Sequence, residues 1–136
     1  MRRDAASNAT RWLAQATRDL DDALFAAQGK RWSLACFLAQ QAAEKAVKAF
    51  LYGRGRELVL GHSVDELLLE AASFDKAFEP MRPDGSKLDR MYVPTRYPDA
   101  LPGGLPFEAF HEDDAATALA AARRIIDAVA ARVKKG

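Results

Sequence analysis

Cysteine is all but missing from this sequence. Cys36 stands alone, so no internal disulfide can form. It lies among Leu34, Ala35, Phe37 and Leu38, where a small buried thiol in a reducing cytoplasm is expected. Histidine is nearly as scarce, with only His62 and His111, and no paired cysteines or clustered aspartates make up a ligand set. A dedicated metal site is therefore not expected, nor any cofactor. Neither sign of charge dominates: 20 basic residues stand against 19 acidic ones. That balance removes the global electrostatic case for wrapping a nucleic acid or lying on a membrane. No apolar run approaches the roughly 20 residues of a spanning helix. The opening MRRDAASNATRW has two arginines but no apolar stretch behind them, so a signal peptide is not expected. Strand-like alternation is lacking too, and β-branched residues are sparse.

What is present is alanine, in helical periodicity over most of 136 residues. That is one domain's worth of chain, and it predicts an all-α fold. A first helix should begin near Ser7 or Asn8 and end at Gly29. Leu13, Ala16, Leu20, Ala23, Leu24 and Ala27 form its apolar side, with Arg18, Asp19, Asp21 and Asp22 elsewhere. A second helix is expected from about Arg31 to Tyr52. Its apolar residues come in pairs four apart, from Leu34/Ala35 to Phe50/Leu51. Each step advances the stripe about 40°, so it winds around the helix. Small alanines in its middle allow close neighbours, which suits the central helix of a bundle. Ser63 and Glu66 form a Ser-x-x-Glu capping box for a third helix, with Leu67, Leu68, Ala71 and Ala72 inward and Phe74 and Phe78 extending that face.

Pro80 and Pro83 then interrupt, and GSKLDRMYV predicts a short helix with Leu88, Met91 and Tyr92 inward. The segment PTRYPDALPGGLPFEAFH holds four prolines and two glycines. A loop that long is usually functional or disordered, and Tyr97, Phe107 and Phe110 favour packing. The last helix should run from His111–Asp113 to about Val133, with Glu112, Asp113 and Asp114 at its positive end and Arg132, Lys134 and Lys135 at its negative end. The expected architecture is an up-and-down antiparallel bundle of four main helices plus a short extra one. It forms a single domain over residues 1–136 with its core at about 8–133.

Several polar residues ask for a role. Gln40, Gln41, Glu44, Lys45 and Lys48 fall on one side of the second helix. Glu44 and Lys48 make a favourable i, i+4 pair, and a solvated face would account for them all. Paired glutamines, however, suit hydrogen bonding better than solubility. Arg54 and Arg56, before a capped helix, could meet an anion or simply decorate a turn. Arg56 followed by His62 also has the makings of a metal-free ribonuclease site. Histidine would be general acid or base towards the 2′-hydroxyl, and arginine would stabilise the phosphorane.

Four motifs in order resemble the HEPN domain family, named for higher eukaryotes and prokaryotes. They are Asp19-Leu20 with Ala23; FLAQQAAEKAVKAFL; GHSVDELL; and Arg96-Tyr97-Pro98 before the long last helix. The resemblance spans roughly Asn8 to Val133. It implies a bundle of four or five helices, often dimeric. It also implies a nucleotide-binding module that accompanies a minimal nucleotidyltransferase, as in two-component toxin–antitoxin systems. Other branches are ribonucleases with an arginine four to six residues before a histidine at the entry to the last helix. Here that place holds Gly104, Leu105 and Pro106, and Arg56/His62 enter the third helix instead.

On this reading Gln41, Lys45, Lys48, Arg96 and Tyr97 share a cleft for a nucleotide such as ATP, with arginine on phosphate and tyrosine on base or ribose. Asp19, Glu44, His62 and Pro98 support it, and Tyr97 before Pro98 is expected to be extended. The same residues fit a purely structural role, with Glu44 or Asp19 pairing with Arg96 to pin the turn. In a third arrangement Gln40, Glu44 and Lys48 face a second subunit, as in an adaptor. The expected partners are thus a second copy of the chain, a small nucleotidyltransferase, a nucleotide and, in the ribonuclease case, RNA, with no membrane.

Overall fold

The structure, a computed structural model, describes residues 4–133. It is all-α, with no strand among the described residues. The α-helices are α1 (Ala5–Gln28), α2 (Trp32–Gly53), α3 (Val64–Ala72), α4 (Arg82–Asp89), α5 (Pro106–Ala109) and α6 (Glu112–Ala130). Two 3₁₀ turns, Lys76–Met81 and Pro98–Ala100, sit between them.

α1 starts a turn earlier than its serine and asparagine suggest. The Asp4 carboxylate accepts from the Ser7 N–H at 2.7 Å and caps the helix. It stops as expected at Gly29, but the left-handed residue is Lys30, at φ 60°. The three-residue link to α2 makes the two helices antiparallel neighbours.

α2 is the axis of the fold and packs against α1, α3, α4, α5 and α6. From Ala39 to Tyr52 only Gln41 and Lys45 are not buried. A helix covered on nearly every side needs small residues where its neighbours come close. Ala35, Ala39, Ala42, Ala43, Ala46 and Ala49 are all fully buried. α1 and α6 answer with Ala16, Ala23, Ala118 and Ala122. The larger core residues, Leu51, Leu68, Phe78, Leu88 and Ile125, fill the space beside them.

Ser63 caps α3 as expected, its Oγ accepting from Glu66 N–H at 3.1 Å. A second cap comes from far along the chain. Asp89, closing α4, accepts from Ser63 Oγ (2.7 Å) and from the N–H groups of Val64 (2.6 Å) and Asp65 (3.3 Å). The start of α3 is thus already filled by a carboxylate, so it offers Arg54 and Arg56 no vacant anion site. Pro80 lies inside the 3₁₀ turn and Pro83 in the first turn of α4, so neither simply breaks the chain. Gly85 lets α4 press on α3: a Cβ there would stand 2.8 Å from Asp65 N and 2.9 Å from Leu68 Cδ1.

The proline-rich segment is ordered into the second 3₁₀ turn and α5, which touches α2. Phe110 packs on the core. Tyr97 and Phe107 do not, being 54% and 72% exposed. Phe74 is 41% exposed, whereas Phe78 is fully buried. α6 begins after His111, whose N–H is taken by the Asp114 carboxylate at 2.8 Å. Lys134 and Lys135 lie outside the described residues.

Candidate functional site

The polar side of α2 is not a solvated face. Gln40, Glu44 and Lys48 are 0%, 4% and 6% exposed. They are buried within one chain, so they cannot be the face presented to a second subunit. Gln40 Nε2 donates to Glu44 Oε1 (3.2 Å) and to the His62 carbonyl (3.1 Å). Gln40 Oε1 accepts from Gln41 Nε2 at 2.7 Å. The Lys48 ammonium lies 3.3 Å from Glu44 Oε2 and 5.9 Å from the centre of the Trp12 ring. Lys45 reaches across to Asp19, a buried residue of α1 that also accepts from Gln15 at 2.8 Å. No buried side-chain polar atom among the described residues lacks a partner. These contacts make a ladder of two carboxylates and two lysines along α2, buried except at Gln41 and Lys45.

Its two ends are open and aromatic. At the Trp32 end, Phe37 sits one turn before Gln41. The Arg96 guanidinium stands 4.3 Å from the Phe37 ring, 4.9 Å from Tyr92 and 5.1 Å from Tyr97. Arg96 Nε donates to the Tyr92 carbonyl at 3.0 Å. The two carboxylates expected to pair with it are engaged elsewhere, Glu44 with Lys48 and Asp19 with Lys45. Arg96 is exposed. Tyr97 is extended before Pro98 (φ −122°, ψ 125°), which aims its ring outward. His62 stacks on the same Tyr92, ring centres 4.8 Å apart. Its Nδ1 is 3.2 Å from Glu44 Oε1. A carboxylate can only accept, so Nδ1 carries the proton and Nε2 is left for solvent or a ligand.

At the other end, the Trp12 and Tyr52 rings meet at a tilt of 36°, their centres 5.3 Å apart. Trp12, Arg11, Ala14, Gln15 and Lys45 line an open groove of about 670 Å³. The structure therefore divides the predicted site. Arg96, Tyr97, Gln41 and His62 gather at the Phe37 end. Lys45 borders the Trp12 groove. Lys48 is sealed between them and serves the ladder. Arg56 goes elsewhere, paired with Glu70 on α3. Phe37, Tyr92 and Trp12 are not among the site residues expected from the sequence, where Tyr92 is expected only as an inward residue of the short helix. Phe37 was legible, lying four residues before Gln41 on the same stripe. Trp12 lies seven residues before Asp19, on the same side of α1. Among the described residues no group of three His, Cys, Asp or Glu side chains could hold a metal ion. No helix among them is long and apolar enough to cross a membrane.

The family model described as HEPN domain matches residues 9–133. No match appears among curated proteins. Of solved structures, TT1696 from Thermus thermophilus is 35% identical, covering 91% of this chain and 97% of that one, with a TM-score of 0.86. An archaeal HEPN homologue, ST0689, is 38% identical over 93% and 98%, at 0.77. A HEPN domain protein of Thermotoga maritima, tm0613, is 30% identical over 89% and 95%, at 0.69.

Proposed function

The chain belongs to the HEPN domain family, and from that premise we propose that it is a nucleotide-binding module, the non-catalytic partner of a minimal nucleotidyltransferase in a two-component system of toxin–antitoxin type. The observation that carries the reading is Arg96: exposed, without Glu44 or Asp19 as partner, and held among Phe37, Tyr92 and Tyr97. Aromatic faces fix the guanidinium plane while its outer N–H groups remain for a phosphate. The exposed Tyr97 ring offers a surface for base or ribose. Because ATP would bind only the folded state, saturating ATP should raise the melting temperature, by about 2.7 kcal/mol of stability at a hundredfold excess over Kd. Arg96→Ala should abolish that rise while the free protein still folds. If Arg96→Ala unfolds the free protein, the Arg-Tyr-Pro turn is structural and the reading fails. Pull-down from the source cells should return a small nucleotidyltransferase in stoichiometric amount.

One observation favours a second reading, a metal-independent ribonuclease. Glu44 orients His62 through Nδ1, as an acid–base histidine requires. Against it, Arg56 is tied to Glu70. Metal-free RNA cleavage lost in His62→Ala would establish the second reading, and no cleavage would dismiss it.

A further inference from the structure

A second cavity lies at the far end of α2. From Phe37 to Arg54 the helix rises about 25 Å, so this cavity is separate from the Arg96 cluster. It has a volume of about 310 Å³. Ala6 and Ala9 of α1 form one wall, Phe50 and Gly53 the floor, and Phe74 and Asp75, after α3, the other wall. Small residues let α1 and α2 meet closely at its base, where a Cβ on Gly53 would come 3.2 Å from that of Ala9.

Two arginines stand at the mouth, each over an aromatic ring. Arg54 lies 5.3 Å from the centre of Phe74, and Arg132 lies 5.4 Å from that of Phe78. Arg132 is half used, its Nε on Asp75 at 2.7 Å and its Nη1 on the Ala128 carbonyl at 2.8 Å. Asp75, the one carboxylate in the lining, faces both cations: it is bonded to Arg132 and lies within electrostatic reach of Arg54. The cavity thus combines two ring-supported guanidinium groups, set against a single carboxylate, with an apolar floor.

We infer that this cavity binds a small organic anion, its carboxylate or phosphate on Arg54 and its compact apolar part against Phe50, Ala9 and Gly53. A planar guanidinium matches either oxyanion through paired hydrogen bonds. The excess of one positive charge in the lining favours an anion, and the limited volume favours a ligand of aryl-phosphate or aryl-carboxylate size over a longer chain.

Titration of the ¹⁵N-labelled protein with phenyl phosphate, with benzoate and with uncharged benzamide tests this. Either or both anions should give saturable shifts of the Ala9 and Gly53 amides, and the stronger one names the head group. Benzamide should bind at least about tenfold more weakly, as should either anion to Arg54→Gln, since a charged hydrogen bond is lost. Ala6→Phe, at an exposed position on the cavity wall, should block binding without lowering the melting temperature. Arg96→Ala should leave it unchanged, which separates this site from the proposed nucleotide site. Absence of saturable shifts, equal binding of benzamide, or undiminished binding by Arg54→Gln would each overturn the assignment.

Discussion

Glu44 is the residue on which most depends, since it neutralises Lys48, accepts from Gln40 and orients His62. Removing one member of a buried pair strands the other charge. Glu44→Ala should therefore lose about 3–5 kcal/mol in urea unfolding. The double replacement Glu44→Met with Lys48→Met should recover most of it, because no charge is then left alone. Cys36 makes the opposite case. Burial, with Asp114 nearby, pushes its thiol up to about 12. At pH 8 the folded protein should react with a thiol reagent at least about a thousandfold more slowly than the denatured chain, because so little thiolate forms. The buried thiol was legible from its apolar neighbours. The buried Glu44–Lys48 pair was not, because an i, i+4 pair reads the same on a surface as in a core. Only the packing of α1 and Trp12 over it decides.

Helices were easier to read than their joints. The apolar pairs along α2 foretold a central helix, and Ser63 foretold the start of α3. Asp4 as a cap, and the left-handed Lys30 where Gly29 looked the natural choice, depend on local backbone detail that residue type leaves open. The approach of α4 to α3 was invisible too, because a lone Gly85 in a helical stretch looks like a flaw. It is a contact point: Gly85→Ala sets a methyl against backbone, which cannot give way as a flexible side chain can. The substitution should cost about 1–3 kcal/mol despite alanine's better helix propensity. A thermal melt would show it, and a stabilised protein would contradict the stated packing.

Across the whole molecule, α6 and the turn just after it are tied to the middle of the chain by two arginine–aspartate pairs. Arg124 makes two bonds of 2.8 Å to Asp84 on α4, and Arg132 holds Asp75 after α3. The Arg124 hydrogen bonds hold the Asp84 carboxyl below its ordinary value. Backbone and Arg132 hydrogen bonds do the same for Asp75. Depressed carboxyls contribute stability that is present above about pH 4 and lost as pH falls through their folded values. Acid unfolding should therefore steepen below about pH 4, and Arg124→Gln should flatten it there while leaving the difference at neutral pH nearly constant. At the surface, Phe25 and Phe107 are 77% and 72% exposed. We propose that the homodimer expected from the sequence would cover such apolar area. Light scattering on the purified protein should give twice the 14.9 kDa chain mass if it forms, and the chain mass alone would retire it.

The capping of α3 by Asp89 has a consequence for the order in which the molecule opens. First-turn amides of a helix have no acceptor inside it and normally exchange with solvent quickly. Here those of Val64 and Asp65 are held by a carboxylate 24–25 residues further along the chain. Their hydrogen-exchange rates should therefore follow the departure of α4 and not the fraying of α3 itself. Val64 and Asp65 become a built-in gauge of that one event, read at two amides while the rest of the bundle stays closed.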